Sequence, residues 1–237
     1  MTAAERVPRV GWVAGSAVVL ALLFAGVATV ASARDDGDGA DRAAAAPGTP
    51  AADSADAGFA RDMAVHHQQA VEMSFIVRDR TKDEEVRRLA YDIANTQANQ
   101  RGMLLGWLDL WELPKAAAGQ PMDWMAAGHE GHSMQDMDGM EGMGTGHRAH
   151  DGSLMPGMAT RTELNRLRTA SGKAAEVLYL RLMTDHHKGG VDMARGCARL
   201  CAVKAEQRLA GGMVEAQQSE LDAMARMLAA RGAGPRS

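Results

Sequence analysis

MAVHHQQAVEM, residues 63–73, returns as MTDHHKGGVDM at residues 183–193. Both read M-x-x-H-H-x-x-x-V-[acid]-M, at an offset of 120 residues. The offset persists downstream without a gap. Arg88-Leu89-Ala90 is answered by Arg208-Leu209-Ala210, Gln97 by Gln217 and Leu108 by Leu228. A match held over so many positions reads as one unit written twice, and a repeat found first constrains everything read after it.

Each copy reads as two helices. In the first, helices over about 57–80 and 84–112 are divided at Thr81-Lys82-Asp83, where Asp83 caps and Glu84 and Glu85 suit a helix N-terminus. Pro114 ends the second of these. In the second copy, Thr160 with Glu163 is a capping-box signature opening a short helix. Ser171-Gly172 punctuates it before a long helix over about 173–201, and a last one covers about 204–230, closed by Gly232 and Gly234. Leu89, Ile93, Gln97, Leu104 and Leu108 share a helical face, as do Leu209, Met213, Gln217, Leu221, Met224 and Leu228. Two hairpins with one apolar face each bury it by packing together, so the expected fold is all-α, a four-helix bundle of two duplicated hairpins.

Composition agrees. Aromatics are only 4% of the chain while hydrophobic residues reach 46%, which suits helices built on Ala, Leu, Val and Met rather than a sandwich or barrel. The net charge of -4 is spread without a basic block, so no nucleic-acid footprint is visible. Residues 10–33 form an uncharged run preceded by Arg6 and Arg9 and followed by Asp35, Asp36 and Asp38. Such a run spans a bilayer with the N-terminus inside, making the cytoplasmic membrane a partner and exporting the rest to its outer face. Ala31-Ser32-Ala33 equally reads as a signal-peptidase site, after which the chain is secreted. The expected organisation is a signal anchor or signal peptide at 1–33, a flexible tether at 34–56, hairpins at 57–114 and 160–230, a linker at 115–159 and a tail at 231–237. Cys197 and Cys201 are too few for a disulfide framework. Metal ligation, a local disulfide and plain burial stay open for them; i, i+4 spacing on an intact helix is poor for a disulfide unless the last turn unwinds.

Placing Met63 at zero on a helical wheel puts His66 near about -60°, His67 near about +40° and Met73 near about -80°. All four share one side, and Met183, His186, His187 and Met193 repeat the arrangement. Methionines at helical spacing are commonly core, and paired histidines are commonly interior residues satisfied by hydrogen bonds. Two matching copies shift the reading toward a metal site. Imidazole suits several transition metals, whereas thioether sulfur selects Cu(I) or Ag(I), so the mixture favours copper.

The linker carries the same donors in another form. Met122 and Met125, His129 and His132, Met134 and Met137, Met140 and Met143, His147 and His150, and Met155 and Met158 are each three residues apart. Interleaved Gly, Asp and Glu offer no aliphatic core, so these thioethers are expected to clip soft ions, Cu(I) or Ag(I), while the histidine pairs also take Cu(II). Thioethers carry no proton, so capture by methionine persists at mildly acidic pH where imidazole does not.

The two HH motifs, with Gln97/Trp107-Leu108 and Gln217/Met227-Leu228, resemble the bacterial domain of unknown function 305 family over about 57–112 and 160–230. The resemblance implies a ferritin-like fold and an exported copper-binding protein linked to copper tolerance, with Met63, His66, His67, Met73 and their counterparts as ligands. Gln68-Gln69 and Lys188 stand where the family has an acidic-Gly pair, and the long linker lies outside its pattern. The expected function is sequestration or buffering of copper, with silver as a second ion. The alternatives are a chaperone passing the ion to a copper-handling protein partner, and a ferritin-like oxidoreductase. No Glu-x-x-His occurs for a di-iron site and no nucleophile elbow is present, so an enzyme is not expected.

Overall fold

The computed structural model describes residues 48–116, 119–126 and 147–236. The run 10–33 lies outside them, as do His129, His132, Met134, Met137, Met140 and Met143. Among the described residues the fold is all-α, and no helix is long and apolar enough to cross a membrane. The helices are α1 (Ala55–Arg80), α2 (Glu84–Leu110), α3 (Asp123–Ala126), α4 (Arg161–Thr169), α5 (Gly172–Leu200) and α6 (Lys204–Ala230). The boundaries expected from sequence hold within two residues. The ends of α1 and α5, and both ends of α2 and α6, are separated by the 120 residues that relate His66 to His186.

Local chemistry sets these ends. Ser54 caps α1 by accepting from the Ala57 N–H at 3.2 Å, and Asp83 caps α2 by accepting from Val86 at 2.9 Å. Thr160 and Glu163 close the capping box of α4 in both directions. Val203, the residue before α6, has no capping side chain. Its place is taken from across the fold by Asp56 of α1, whose carboxylate accepts from the N–H groups of Ala202 and Val203 at 2.9 and 2.7 Å.

Helix α1 packs along α2, α5 along α6, and α1 and α5 lie antiparallel against each other. Their core is split. One cluster joins Met73 and Val77 of α1 to Tyr179 and Met183 of α5, with Met224 and Met227 of α6. The other joins Phe59 and Met63 of α1 to Met193 and Cys197 of α5, with Met213 of α6. A fully buried side chain of this size contributes about 1.5–3 kcal/mol through removal of apolar surface from water. Both ends of the bundle are therefore well supplied, and the polar residues between them are not there for want of apolar ones.

The described parts of the linker are not free strands. Trp124 of α3 is buried against Phe59, ring centroids 5.8 Å apart, and donates its indole N–H to Asp62 at 2.9 Å. Met155 is 1% exposed within the second cluster, a core position where the composition of the linker offered no core for its methionines. Residues 153–159 form a strap over α1 and α5. Gln69 donates to the Ala159 carbonyl at 2.8 Å and accepts from its N–H at 2.6 Å. The strap turns at Gly157, φ 81°, and passes so close to α5 that a methyl group on Gly189 would run into the Pro156 carbonyl.

Candidate metal centre

Between the two clusters, where α1 and α5 cross, lie the four histidines of the repeated motifs. All are 0–1% exposed. The rings of His66 and His186 are stacked with centroids 3.8 Å apart and planes tilted by 33°, and His187 lies 6.2 Å from His186. The crossing brings the equivalent residues of the two motifs face to face, which the helical wheel permitted but could not position.

The second motif is held by hydrogen bonds. His186 donates from Nε2 to the His66 carbonyl at 2.9 Å, and His187 donates from Nε2 to the Glu220 carboxylate at 2.7 Å. With Nε2 donating in both, neither Nδ1 has a partner, and the neutral His186 keeps its Nδ1 lone pair free. The first motif is held more loosely. His66 and His67 have no partner on either ring nitrogen, although the Pro156 carbonyl lies beside His66 and the amides of Gln100 and Gln97 beside His67. Gln97 is itself buried with both amide atoms unpaired, and Gln217 has an unpaired Oε1.

Burial keeps the rings of His66, His67 and His186 neutral. Burial pushes His66 and His67 down to about 3, and the facing imidazoles add to this. His186 is likewise held well below the usual histidine range, first by burial and then by His66 and His187. Neutral imidazole is the ligand form. An unsatisfied buried polar group costs about 1–3 kcal/mol, so a cluster of them in an otherwise apolar helix contact is a poor structural solution. It is a good set of nitrogen donors.

The thioethers divide. Met63 and Met193 fall in the second core cluster with Met155 and Met213, and Met122, Met125 and Met158 pack against it. Met73 and Met183 fall in the first. The antiparallel crossing sets the methionines of each motif on opposite sides of the imidazoles, so the eight motif donors do not form one shell. His147 and His150 are exposed, with rings 5.9 Å apart. Cys197 and Cys201 form a disulfide with a Cα–Cα separation of 4.8 Å. It is possible because α5 ends at Leu200 and Cys201 is extended, φ -65° and ψ 143°, which removes the obstacle of an intact helix.

One residue of the centre was not reached from sequence. Glu220 was not singled out at all, although the 120-residue offset sets it opposite Gln100, and both lie three residues beyond the paired glutamines Gln97 and Gln217.

The family model described as Domain of unknown function (DUF305) matches residues 56–228. Among solved structures, a secreted-protein candidate of that family from Streptomyces coelicolor is 59% identical, with a TM-score of 0.67 over 79% of this chain and 99% of that one. A fragment from Deinococcus radiodurans of the same family is 27% identical, with a TM-score of 0.55 over 76% and 95%. CopM in its Cu(I)-bound form is 19% identical, with a TM-score of 0.51 over 73% and 94%, and CopM has also been solved in Cu(II)-bound and Ag-bound forms. None of the curated proteins matches the chain.

Proposed function

We propose, from the premise that this chain belongs to the DUF305 family, that it binds copper at the crossing of α1 and α5 and sequesters or buffers the ion outside the cytoplasm. The single observation carrying this reading is the set of buried and unpartnered imidazole nitrogens where the repeated motifs meet. That CopM has been solved with Cu(I), Cu(II) and Ag supports the choice of ion, and the secreted-protein candidate from Streptomyces coelicolor supports the location. The bundle is read as ferritin-like, built from one duplicated hairpin. Residues 10–33 serve as anchor or cleaved leader, and the linker methionines and histidines add capacity.

The protein acts by holding the ion rather than by catalysis. His186 and His187 present Nδ1 with Nε2 already engaged, and His66 and His67 offer either nitrogen. The soft thioethers of the second cluster lie beyond them as Cu(I) donors. Entry needs the strap or the helix pair to part, because the rings are closed off from solvent in the described conformation.

Replacing His66 and His67 with Leu separates this from a structural role. Leu keeps most of the volume while removing four orphan nitrogens. The expected result is loss of copper at the centre, measured by Cu(I) titration against a chromogenic chelator, with a metal-free melting temperature unchanged or raised. A variant that unfolds, or one that binds copper as wild type does, refutes the site.

A further inference from the structure

The end of the bundle that carries the disulfide differs from its counterpart in charge. At the α1–α2 turn, Glu176 is satisfied twice: Thr81 donates to it at 2.6 Å and Arg231 at 2.8 Å. The repeat sets Asp56 in the place of Glu176, Cys201 in the place of Thr81 and Glu206 in the place of Val86. At this second end, among the described residues, neither acid has a cation in salt-bridge range. Glu206 is 0% exposed, and apart from the neighbouring Asp56 carboxyl no group reaches its carboxyl oxygens. One of these oxygens and the sulfurs of Cys197 and Cys201 all lie within 4.8 Å of one another.

We propose that reduction of the Cys197–Cys201 bond opens a site for one divalent thiophilic cation of the Zn(II) class, held by both thiolates and the Glu206 carboxylate. In the disulfide form the sulfurs are bonded to each other and the site is masked. A dithiol reductant supplies two electrons and two protons to the S–S bond and itself closes to a disulfide. The cation then displaces the two thiol protons and the proton that Glu206 keeps beside Asp56. Two thiolates and a carboxylate are a Zn(II) donor set, and three converging anions call for a divalent charge rather than Cu(I). Asp56 is tied to the N–H groups of Ala202 and Val203, so it fixes the α5–α6 turn that carries Cys201 and joins the helices holding Cys197 and Glu206. The site is separate from the histidine centre and does not depend on it.

The test titrates the full chain, in the disulfide form and in the dithiol form refolded under a phosphine reductant, with Zn(II) and with Co(II) as a spectroscopic substitute. The dithiol form is expected to take one more equivalent of Zn(II) than the disulfide form and, alone of the two, to show a thiolate-to-Co(II) charge-transfer band. Histidine and thioether sites are common to both forms and cancel in the difference. Glu206→Gln, which mimics the protonated carboxyl, is expected to weaken this extra equivalent by at least about tenfold. Zn(II) should also raise the melting temperature of the dithiol wild type more than that of the disulfide form, a readout that needs no variant to fold. Absence of the band, equal Zn(II) uptake in both forms, or full affinity in Glu206→Gln overturns the proposal.

Discussion

Glu220 is the residue on which the two halves of the centre part company. It accepts from His187 at 2.7 Å, whereas its counterpart Gln100 completes no hydrogen bond to His67. A carboxylate behind a ligand histidine fixes the tautomer and raises the basicity of the other ring nitrogen, and losing it typically costs metal sites about 10–100-fold in affinity. Glu220→Gln should therefore weaken copper binding within that range while the bundle stays folded. A competitive Cu(I) titration with circular dichroism alongside reads both outcomes. The converse change, Gln100→Glu, gives His67 the partner it lacks and should tighten binding in the same assay. The sequence showed the four histidines because their type and register repeat. It could not single out Glu220, since the repeat has no carboxylate at the matching place and a glutamate on a helix is ordinarily a solvated charge.

At the scale of elements, the helices were legible because each carries its own start signal, such as Asp83 before α2 and the Thr160–Glu163 box before α4. The strap was not. Its residues, Ser-Leu-Met-Pro-Gly-Met-Ala, carry no helical or strand pattern, and its position depends on α5 rather than on itself. Gly189 leaves an open stretch of helix surface, the Pro156 carbonyl fills it, and Gln69 fastens the strap end through Ala159. Gly189→Ala must push the strap off α5, an overpacking change of about 1–3 kcal/mol. Hydrogen exchange is expected to rise across residues 153–159 with little change in α2 and α6. If the strap also closes the centre, copper should enter this variant faster than wild type at similar final affinity, which stopped-flow mixing with a Cu(I) donor resolves. Equal rates would leave separation of α1 from α5 as the route of entry.

For the whole molecule, the buried histidines and the buried Glu206 pull the pH dependence of stability in opposite directions. His66 and His67 fall to about 3 in the folded chain from an ordinary 6.5, so between these values the unfolded chain binds protons that the folded chain refuses. Their contribution is complete above about pH 6.5 and is lost as the pH falls toward about 3. Glu206 behaves the other way. Burial, reinforced by Asp56, pushes it up to about 9 from 4.5, so the folded chain holds a proton that the unfolded chain has released. Its contribution is complete below about pH 4.5 and is lost as the pH rises through about 9. The metal-free disulfide form should thus be most stable near about pH 6.5, where the waning rise of the histidine limb is just matched by the descent of the glutamate limb. Thermal melts from pH 5 to 9 test each limb through its own variant. Glu206→Gln should flatten the alkaline side and steepen the rise on the acid side, because its descent runs from about pH 4.5 upward, and His67→Leu should lessen the acid slope and leave the alkaline side unchanged. An alkaline descent that survives Glu206→Gln would mean that this carboxyl is already ionised in the folded chain, and that Asp56 and Glu206 share the end of the bundle as two charges.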